Sequence, residues 1–160
     1  MSDSTPRVRT SAKAIIFDAD RQKILFIEYL DTENPYYTLP GGGQEHGENL
    51  LQALLRECEE EIGTRVKVEE LRMVRDYIAR HHEFAEANPH FHQVEFFFSC
   101  ILENTSDAMM GPLLDKTQTG IKWLTLSEFE SARIYPKVFR TLLFRLASGE
   151  PVPFYLGDVN

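Results

Sequence analysis

The chain has 160 residues, of which 42% are apolar and 11 are phenylalanines, and its formal net charge is −8. This length and apolar content predict a single domain over residues 1–160 with a buried core. The polar residues 1–9 are expected to be loosely held. The acidic balance argues against binding a nucleic-acid polymer, because phosphate contacts need clustered lysine and arginine.

The cysteines and the hydropathy pattern bear on where the protein works. Cys58 and Cys100 both lie in apolar runs, which predicts buried free thiols in a reducing compartment rather than a disulfide framework. The first residues are polar and no apolar run approaches about 18 residues, so we expect neither a signal peptide nor a membrane span. Together these features predict a cytoplasmic location.

The first third of the chain alternates strand-like runs with turns. Ser11–Phe17 and Lys23–Tyr29 read as two strands around a turn at residues 18–21. Residues 36–39 form a short strand that leads directly into Gly41-Gly42-Gly43, where glycine allows backbone conformations and close approaches that other residues cannot make.

A helix is predicted immediately after these glycines. Asn49 with Gln52 three residues later fits a capping box, and Gly63 fits the left-handed residue that ends a helix. At helical spacing one apolar stripe is expected to be buried, and it contains Leu51, Leu54, Leu55, Cys58 and Ile62.

A second stripe of this helix carries Glu57, Glu60 and Glu61. Like charges at such spacings repel by roughly 0.2–0.5 kcal/mol per pair on an exposed helix. The arrangement is explained if divalent cations lie between the acids, and oxygen-only ligands favour Mg²⁺ or Mn²⁺ over zinc. Magnesium is usually shared with substrate phosphates, so these acids indicate a phosphate ester or anhydride as the substrate.

The glycine turn and the acid helix together resemble the Nudix box, GX5EX7REUXEEXGU, in which U is an aliphatic residue. Every charged and glycine position matches over residues 42–63, while Cys58 stands at the first U and Thr64 at the last. These two departures concern packing rather than chemistry. The resemblance implies a Nudix-type α/β/α sandwich, with a mixed β-sheet between helices.

The resemblance also implies roles for individual residues. Glu57, Glu60, Glu61 and the Gly41 carbonyl would bind Mg²⁺ or Mn²⁺, and Glu57, Arg56 and Glu61 would be the catalytic residues. Arg56 is expected to point away from the metals and to orient neighbouring carboxylates with Glu48, the alternative being a simple surface ion pair. Gly42, Glu48 and Gly63 complete the motif as structural positions.

The segment after the box contains four of the five histidines. Residues 66–77 are expected to be extended, and residues 79–92 to form a polar loop. A zinc site made of His81, His82, His90 and His92 is an alternative, although adjacent histidines on a strand point to opposite faces and the spacing matches no zinc pattern.

Residues 93–102, with three consecutive phenylalanines, predict a central strand that is buried on both faces. Glu95 is the exception in this strand, because an unpaired buried carboxylate is costly. It is expected either to point to the active-site groove, as an additional base or metal ligand, or to pair with Arg75 or Arg80.

The polar stretch over residues 103–120 is long enough to suggest a lid or binding loop. In Nudix enzymes a loop carboxylate from this region often completes the metal site or acts as the base, and Asp107 and Asp115 are the candidates here. Residues 121–126 predict another strand, and residues 138–146 a closing amphipathic helix.

The resemblance implies a metal-dependent pyrophosphohydrolase that cleaves a nucleoside diphosphate linked to another moiety, with Glu57 as the first choice of general base. Marks typical of the ADP-ribose, dinucleoside polyphosphate and coenzyme A subgroups are not matched, so the substrate stays open, as do the number of metals and a homodimer. Tyr29, Tyr36, Tyr37 and Phe84 are candidate base-stacking partners.

Three other interpretations remain. The first is a catalytically silent Nudix-like domain that binds a nucleotide for regulation. The second is an isoprenoid diphosphate isomerase of the same fold, and the third an RNA-decapping module, which the net charge of −8 disfavours.

Overall fold

A computed structural model describes residues 5–32, 34–83, 85–104 and 118–160 of the chain. Its eight strands are β1 (Val8–Ile16), β2 (Lys23–Leu30), β3 (Pro35–Thr38), β4 (Gly41–Gly43), β5 (Val66–Ile78), β6 (His92–Leu102), β7 (Gln118–Thr125) and β8 (Tyr155–Asp158). The α-helices within these ranges are α1 (Leu50–Ile62) and α2 (Phe139–Ala147). Neither helix is long and apolar enough to cross a membrane, within the described part of the chain.

The strands form two sheets. One is five-stranded and mixed, in the order β4-β1-β6-β5-β8, and the other is three-stranded and antiparallel, in the order β3-β2-β7. In the mixed sheet β1 runs parallel to β6 and β5 runs parallel to β8, while the other neighbours are antiparallel. The placement of β6 between β1 and β5 confirms that the phenylalanine-rich strand is central.

Two apolar cores lie on opposite faces of the sheets. From α1, Leu54, Cys58 and Ile62 pack against alternate residues of β1, β2 and β6. From α2, four residues pack into the other core with Phe97 of β6 and Phe26 of β2. Because each strand sends successive side chains to opposite faces, one layer of strands separates the two helices. The predicted α/β/α sandwich with a mixed sheet is therefore confirmed.

The ends of α1 are formed as the sequence predicts. The Asn49 side chain accepts a hydrogen bond from the Gln52 N–H, and the Gln52 side chain accepts one from the Asn49 N–H. Gly63 ends the helix with a φ of 68°, in the left-handed region. The predicted stripe is buried at Leu54, Cys58 and Ile62, but Leu51 is 45% exposed, because it lies in the first turn and outside the row that faces the sheet.

Other boundaries differ from the sequence prediction in smaller ways. Strand β1 begins at Val8 rather than at Ser11, and Val8 and Arg9 pair with β6. Strand β7 begins at Gln118 rather than at residue 121. The pattern did not indicate β8, which is four residues long and pairs with β5 at the edge of the mixed sheet.

Candidate functional site

The glycine turn brings β4 into close contact with both β1 and α1. Gly41 has a φ of +129°, and a Cβ added there would lie 2.1 Å from the Ala12 carbonyl oxygen. A Cβ on Gly42 would lie 2.4 Å from the Cδ carbon of Glu57. Any side chain at these two positions would therefore collide with the neighbouring strand or with the carboxylate of the acid helix.

Arg56 lies among the acids of the motif. Its Nε and Nη2 donate to the two carboxylate oxygens of Glu48 at 2.6 and 3.0 Å, and Nη2 also donates to the Gly43 carbonyl at 3.0 Å. Its Nη1 donates to Glu57 at 2.9 Å and to Glu60 at 3.4 Å. The guanidinium thus contacts the carboxylates that it was expected to orient, and it ties the turn, Glu48 and the acid face together.

The pKa values reflect this network. Hydrogen bonding to Arg56, followed by the Glu45 N–H, lowers the pKa of Glu48 to about 2. The hydrogen bond to Glu48 raises the pKa of Arg56 above its usual value, against an opposing effect of burial. Both groups therefore carry full charge at neutral pH, as a bidentate arginine–carboxylate pair should.

Glu61 is the most buried of the three helix acids, at 6% exposure. One of its oxygens accepts the Gly41 N–H at 2.8 Å, and the other accepts the side-chain amide of Gln118 at 2.9 Å, which also donates to the Tyr29 hydroxyl. Burial raises the pKa of Glu61, and the charge of Lys13 and the Gly41 N–H oppose that rise. Glu61 is thus held from both sheets.

The Gly41 carbonyl, expected to be a metal ligand, contacts a lysine. Lys13 Nζ donates to this oxygen at 3.0 Å. Within the described ranges no three histidine, cysteine, aspartate or glutamate side chains converge closely enough to hold an ion as they stand. An ion bound here would have to take the place of N–H donors.

The carboxylate and carbonyl oxygens at this site, and their exposure to solvent, suit a hard divalent ion. Glu57 and Glu60 are partly exposed, at 18% and 29% of their side-chain surface, so solvent and a bound substrate can reach them. Glu57 lies against Gly42, where the missing Cβ leaves the carboxylate room beside the turn. Carboxylate and carbonyl oxygens are the donors that Mg²⁺ and Mn²⁺ prefer.

Glu95 lies in a buried ion pair. Arg75 Nε donates to its Oε2, and Gln93 donates to its Oε1 at 2.9 Å, while Arg75 Nη1 donates to the Val159 carbonyl at 2.6 Å. Because Phe96 packs on the α1 side and Phe97 on the other, the alternation of β6 places Glu95 on the face away from α1. Asp107 and Asp115 lie outside the described residues.

Histidines in and beside the histidine-rich segment make hydrogen bonds to aspartates. His81 Nδ1 and His82 Nε2 each contact Asp158 of β8 at 2.7 Å, and His92 Nε2 contacts Asp76 at 2.9 Å. Burial raises the pKa of Asp158, but the bonds to the two histidines and to the Ile78 N–H outweigh it and lower the value to about 2. His81 and His82 therefore hold β8 at the sheet edge, while His92 contacts β5. The described residues offer no zinc-binding set.

The aromatic candidates divide into a surface stack and a core residue. The rings of Tyr29 and Tyr36 stack at 5.1 Å between centroids, and Tyr135 contacts Tyr36 edge-on at 5.8 Å. Tyr37 belongs to the apolar core, and Phe84 lies outside the described residues. The Gln118 amide donates to both Glu61 and the Tyr29 hydroxyl, so the aromatic stack begins beside the acid site.

Sequence reasoning missed two residues of this site, Lys13 and Gln118. Lys13 could have been suspected, because it interrupts the apolar run of a predicted strand next to the glycine turn. Gln118 gave no comparable signal, since it follows a polar stretch without a period. Its contact with Glu61 depends on how the three-stranded sheet approaches α1.

Comparison with known proteins gives the same picture. A family model described as the NUDIX domain matches residues 7–142. Nudix hydrolase 6 of Arabidopsis thaliana is 27% identical to the chain over 124 residues, which cover 76% of this chain and 40% of that protein. The chain thus spans well under half the length of this curated relative.

Solved structures share the fold at low sequence identity. A NUDIX hydrolase from Nitrosomonas europaea matches with a TM-score of 0.69 and 22% identity, covering 95% of this chain and 78% of that one. An ADP-ribose pyrophosphatase from Streptococcus suis matches with a TM-score of 0.62 and 20% identity, covering 96% of this chain and 100% of that one.

Proposed function

The chain belongs to the Nudix family, and from that premise we propose that it is a metal-dependent pyrophosphohydrolase of nucleotide-type substrates. It would cleave a nucleoside diphosphate linked to another moiety by attack of water on phosphorus, releasing two phosphorylated products. One observation carries the proposal: the complete acid set of α1 meets the glycine turn, with the Glu57 carboxylate against Gly42 and Glu61 bonded to the Gly41 N–H.

Glu57, Glu60 and Glu61, with the Gly41 carbonyl, would hold one or more Mg²⁺ or Mn²⁺ ions. When bound, such ions lower the pKa of a coordinated water and neutralise the charge of the diphosphate. The protein supplies the placement of these oxygens. Arg56 anchors Glu57 and Glu60 from the side, and Gly41 and Gln118 fix the two oxygens of Glu61.

Glu57 is the best placed of the acids to accept the proton of the attacking water. Its carboxylate lies at the open edge of the turn and is only partly exposed, whereas Glu61 is buried and bonded at both oxygens. Glu95 is less suited to that role, since Arg75 and Gln93 already occupy its two oxygens. Arg56, which donates to Glu57 at 2.9 Å, would keep this carboxylate correctly oriented.

We propose nucleoside diphosphate derivatives as the substrate class, rather than one individual substrate. A structural neighbour is named an ADP-ribose pyrophosphatase, yet the proline found some fifteen residues beyond the box in such enzymes is missing, since residues 64–88 contain none. The stack of Tyr29, Tyr36 and Tyr135 would suit a planar base. The two buried free thiols support the expected cytoplasmic location.

A single assay tests the proposal. The protein is incubated with Mg²⁺ and a panel of nucleoside diphosphate derivatives, and the products are counted with and without EDTA. We expect phosphorylated products that disappear with EDTA and in Glu57→Gln. Tight nucleotide binding without product would instead support the catalytically silent regulatory domain.

A further inference from the structure

Lys13 makes a contact that the family motif does not require. It lies on β1 directly opposite Gly41 of β4, and its ammonium donates to the Gly41 carbonyl at 3.0 Å. The same glycine donates its N–H to Glu61 at 2.8 Å. One peptide unit of the turn therefore connects a cation on one side to a carboxylate on the other.

The conformation of the turn fixes this arrangement. Gly41 packs so tightly on β1 that an added Cβ would lie 2.8 Å from the Cα of Lys13. The Lys13 backbone therefore packs directly against Gly41, and its side chain contacts the carbonyl of the same glycine. Its charge also acts on Glu61, where it opposes the rise in pKa that burial causes.

The charges around the turn do not balance. The carboxylates of Glu48, Glu57, Glu60 and Glu61 are accompanied by Arg56 and Lys13, and the Arg9 guanidinium lies beside Gly43. Even with Arg9, the acids outnumber these cations. Arg56 is tied to Glu48 through two bonds, whereas Lys13 makes a single hydrogen bond to a neutral carbonyl within the described contacts. Of the two, Lys13 is the cation that can leave with fewer broken contacts.

Resting on the proposed function, we propose that Lys13 is an exchangeable counter-cation of the metal site. Its ammonium holds the Gly41 carbonyl and balances Glu61, and a divalent ion that takes this carbonyl as a ligand must displace it. Two cations on one carbonyl oxygen repel each other strongly when little water lies between them. Lys13 therefore sets the metal affinity of the site by competing with the ion.

The first experiment measures Mn²⁺ affinity without substrate, by calorimetry or by electron paramagnetic resonance of free Mn²⁺. Lys13→Met removes the competitor, so we expect Mn²⁺ binding about tenfold tighter, a change of the size, but opposite in sign, that is typical when a group supporting a metal ligand is removed. Lys67→Met, the same change on the exposed part of β5, should leave the affinity unchanged. Unchanged or weaker binding in Lys13→Met would overturn the proposal.

A second measurement uses the unmodified chain and so does not depend on a variant folding. Acetylation of lysine side chains by an activated ester is followed by mass spectrometry with Mn²⁺ and with EDTA. Lys13 should react faster when Mn²⁺ is bound, while Lys67 in the same sample keeps its rate. Equal or slower labelling of Lys13 in Mn²⁺ would contradict displacement.

Failure of this inference can be told apart from failure of the proposed function. If the unmodified chain binds Mn²⁺ no better than Glu57→Gln, the proposed metal site at the helix acids is wrong, and the proposed function fails with it. If the chain binds Mn²⁺ through Glu57 but Lys13→Met does not tighten binding, only the role of Lys13 is wrong.

Discussion

The glutamates that contact Arg56 and the glutamate that contacts Arg75 lie in two different environments. On α1 and the glycine turn, Arg56 contacts three glutamates that remain partly exposed, Glu48, Glu57 and Glu60. In the mixed sheet, Arg75 contacts one glutamate, Glu95, and both side chains are more than 90% buried. The first group has more acids than bases, whereas the second is a pair of equal and opposite charges.

This difference separates a site that can bind an ion from one that holds the fold together. A buried pair must satisfy its own hydrogen bonds, and Gln93 and the Val159 carbonyl complete those of Glu95 and Arg75. An excess of partly exposed carboxylates is unfavourable unless a cation compensates it. Removing one partner is therefore expected to have different effects in the two groups. It should lower the stability of the fold at the buried pair, and it should lower activity at the exposed group.

The largest effect is expected from breaking the buried pair. Arg75→Met leaves Glu95 charged and unpaired inside the sheet, which should lower the free energy of unfolding by about 3–5 kcal/mol. Denaturant unfolding measures this change. Arg72→Met, on the same strand and paired with Glu70 at the surface, should cost no more than about 1 kcal/mol.

The double variant Arg75→Met/Glu95→Leu sharpens this result, because it removes both charges and should recover much of the lost stability. Mn²⁺ affinity should stay unchanged in Arg75→Met under conditions where it is folded. A loss of Mn²⁺ binding there would instead connect Glu95 to the metal site.

Glu57→Gln should have the opposite pattern of effects. Altering even a neighbour of a metal ligand lowers activity by about 10–100-fold, so losing the ligand itself should lower kcat by about 100-fold or more. The melting temperature should change little, because the carboxylate is partly exposed. Glu59→Gln, on the same helix and paired with Arg65 at the surface, is the control and should keep full activity. Near-normal turnover in Glu57→Gln would remove this residue from the mechanism.

A smaller effect is expected at Gln118, whose amide holds the second oxygen of Glu61. Gln118→Leu should weaken Mn²⁺ binding by about tenfold, since the carboxylate loses a bond that orients it. Thr119→Val changes the adjacent residue, which contacts Glu28 instead, and should leave Mn²⁺ affinity unchanged. Equal affinities for the two variants would show that the amide does not position Glu61.

The smallest effect concerns pH. Because Arg56 lowers the pKa of Glu48 from 4.5 to about 2, the pair stabilises the folded chain above about pH 4.5. That stabilisation is lost as the pH falls through this interval towards about 2. The difference in melting temperature between the unmodified chain and Glu48→Gln should therefore be largest near neutral pH and shrink below about pH 4.5. A difference that stays constant down to about pH 2 would contradict the assignment.

The sequence predicted well where the evidence lies within one element. The caps at Asn49 and Gly63 and the acid face of α1 are set by spacing along the chain, and all three are found in the structure. The central position of β6 followed from its apolar run. These features depend on local periodicity, which a single sequence carries.

Contacts between residues that are distant in the sequence could not be predicted from local spacing. Strand β5 has two register shifts, between Val68 and Glu70 and between Leu71 and Met73, and they decide that Arg75 lies opposite Glu95. The approach of Gln118 to Glu61 depends on packing between the two sheets. Spacing within β5, β6 or β7 alone contains neither piece of information.

The most direct test of the account is to locate divalent ions in crystals soaked in Mn²⁺, using anomalous scattering. We expect density beside the carboxylates of Glu57, Glu60 and Glu61, with the Gly41 carbonyl among the ligands and no density beside Glu95. Crystals that show no manganese next to the three helix acids would contradict the claim that these side chains exist to bind metal.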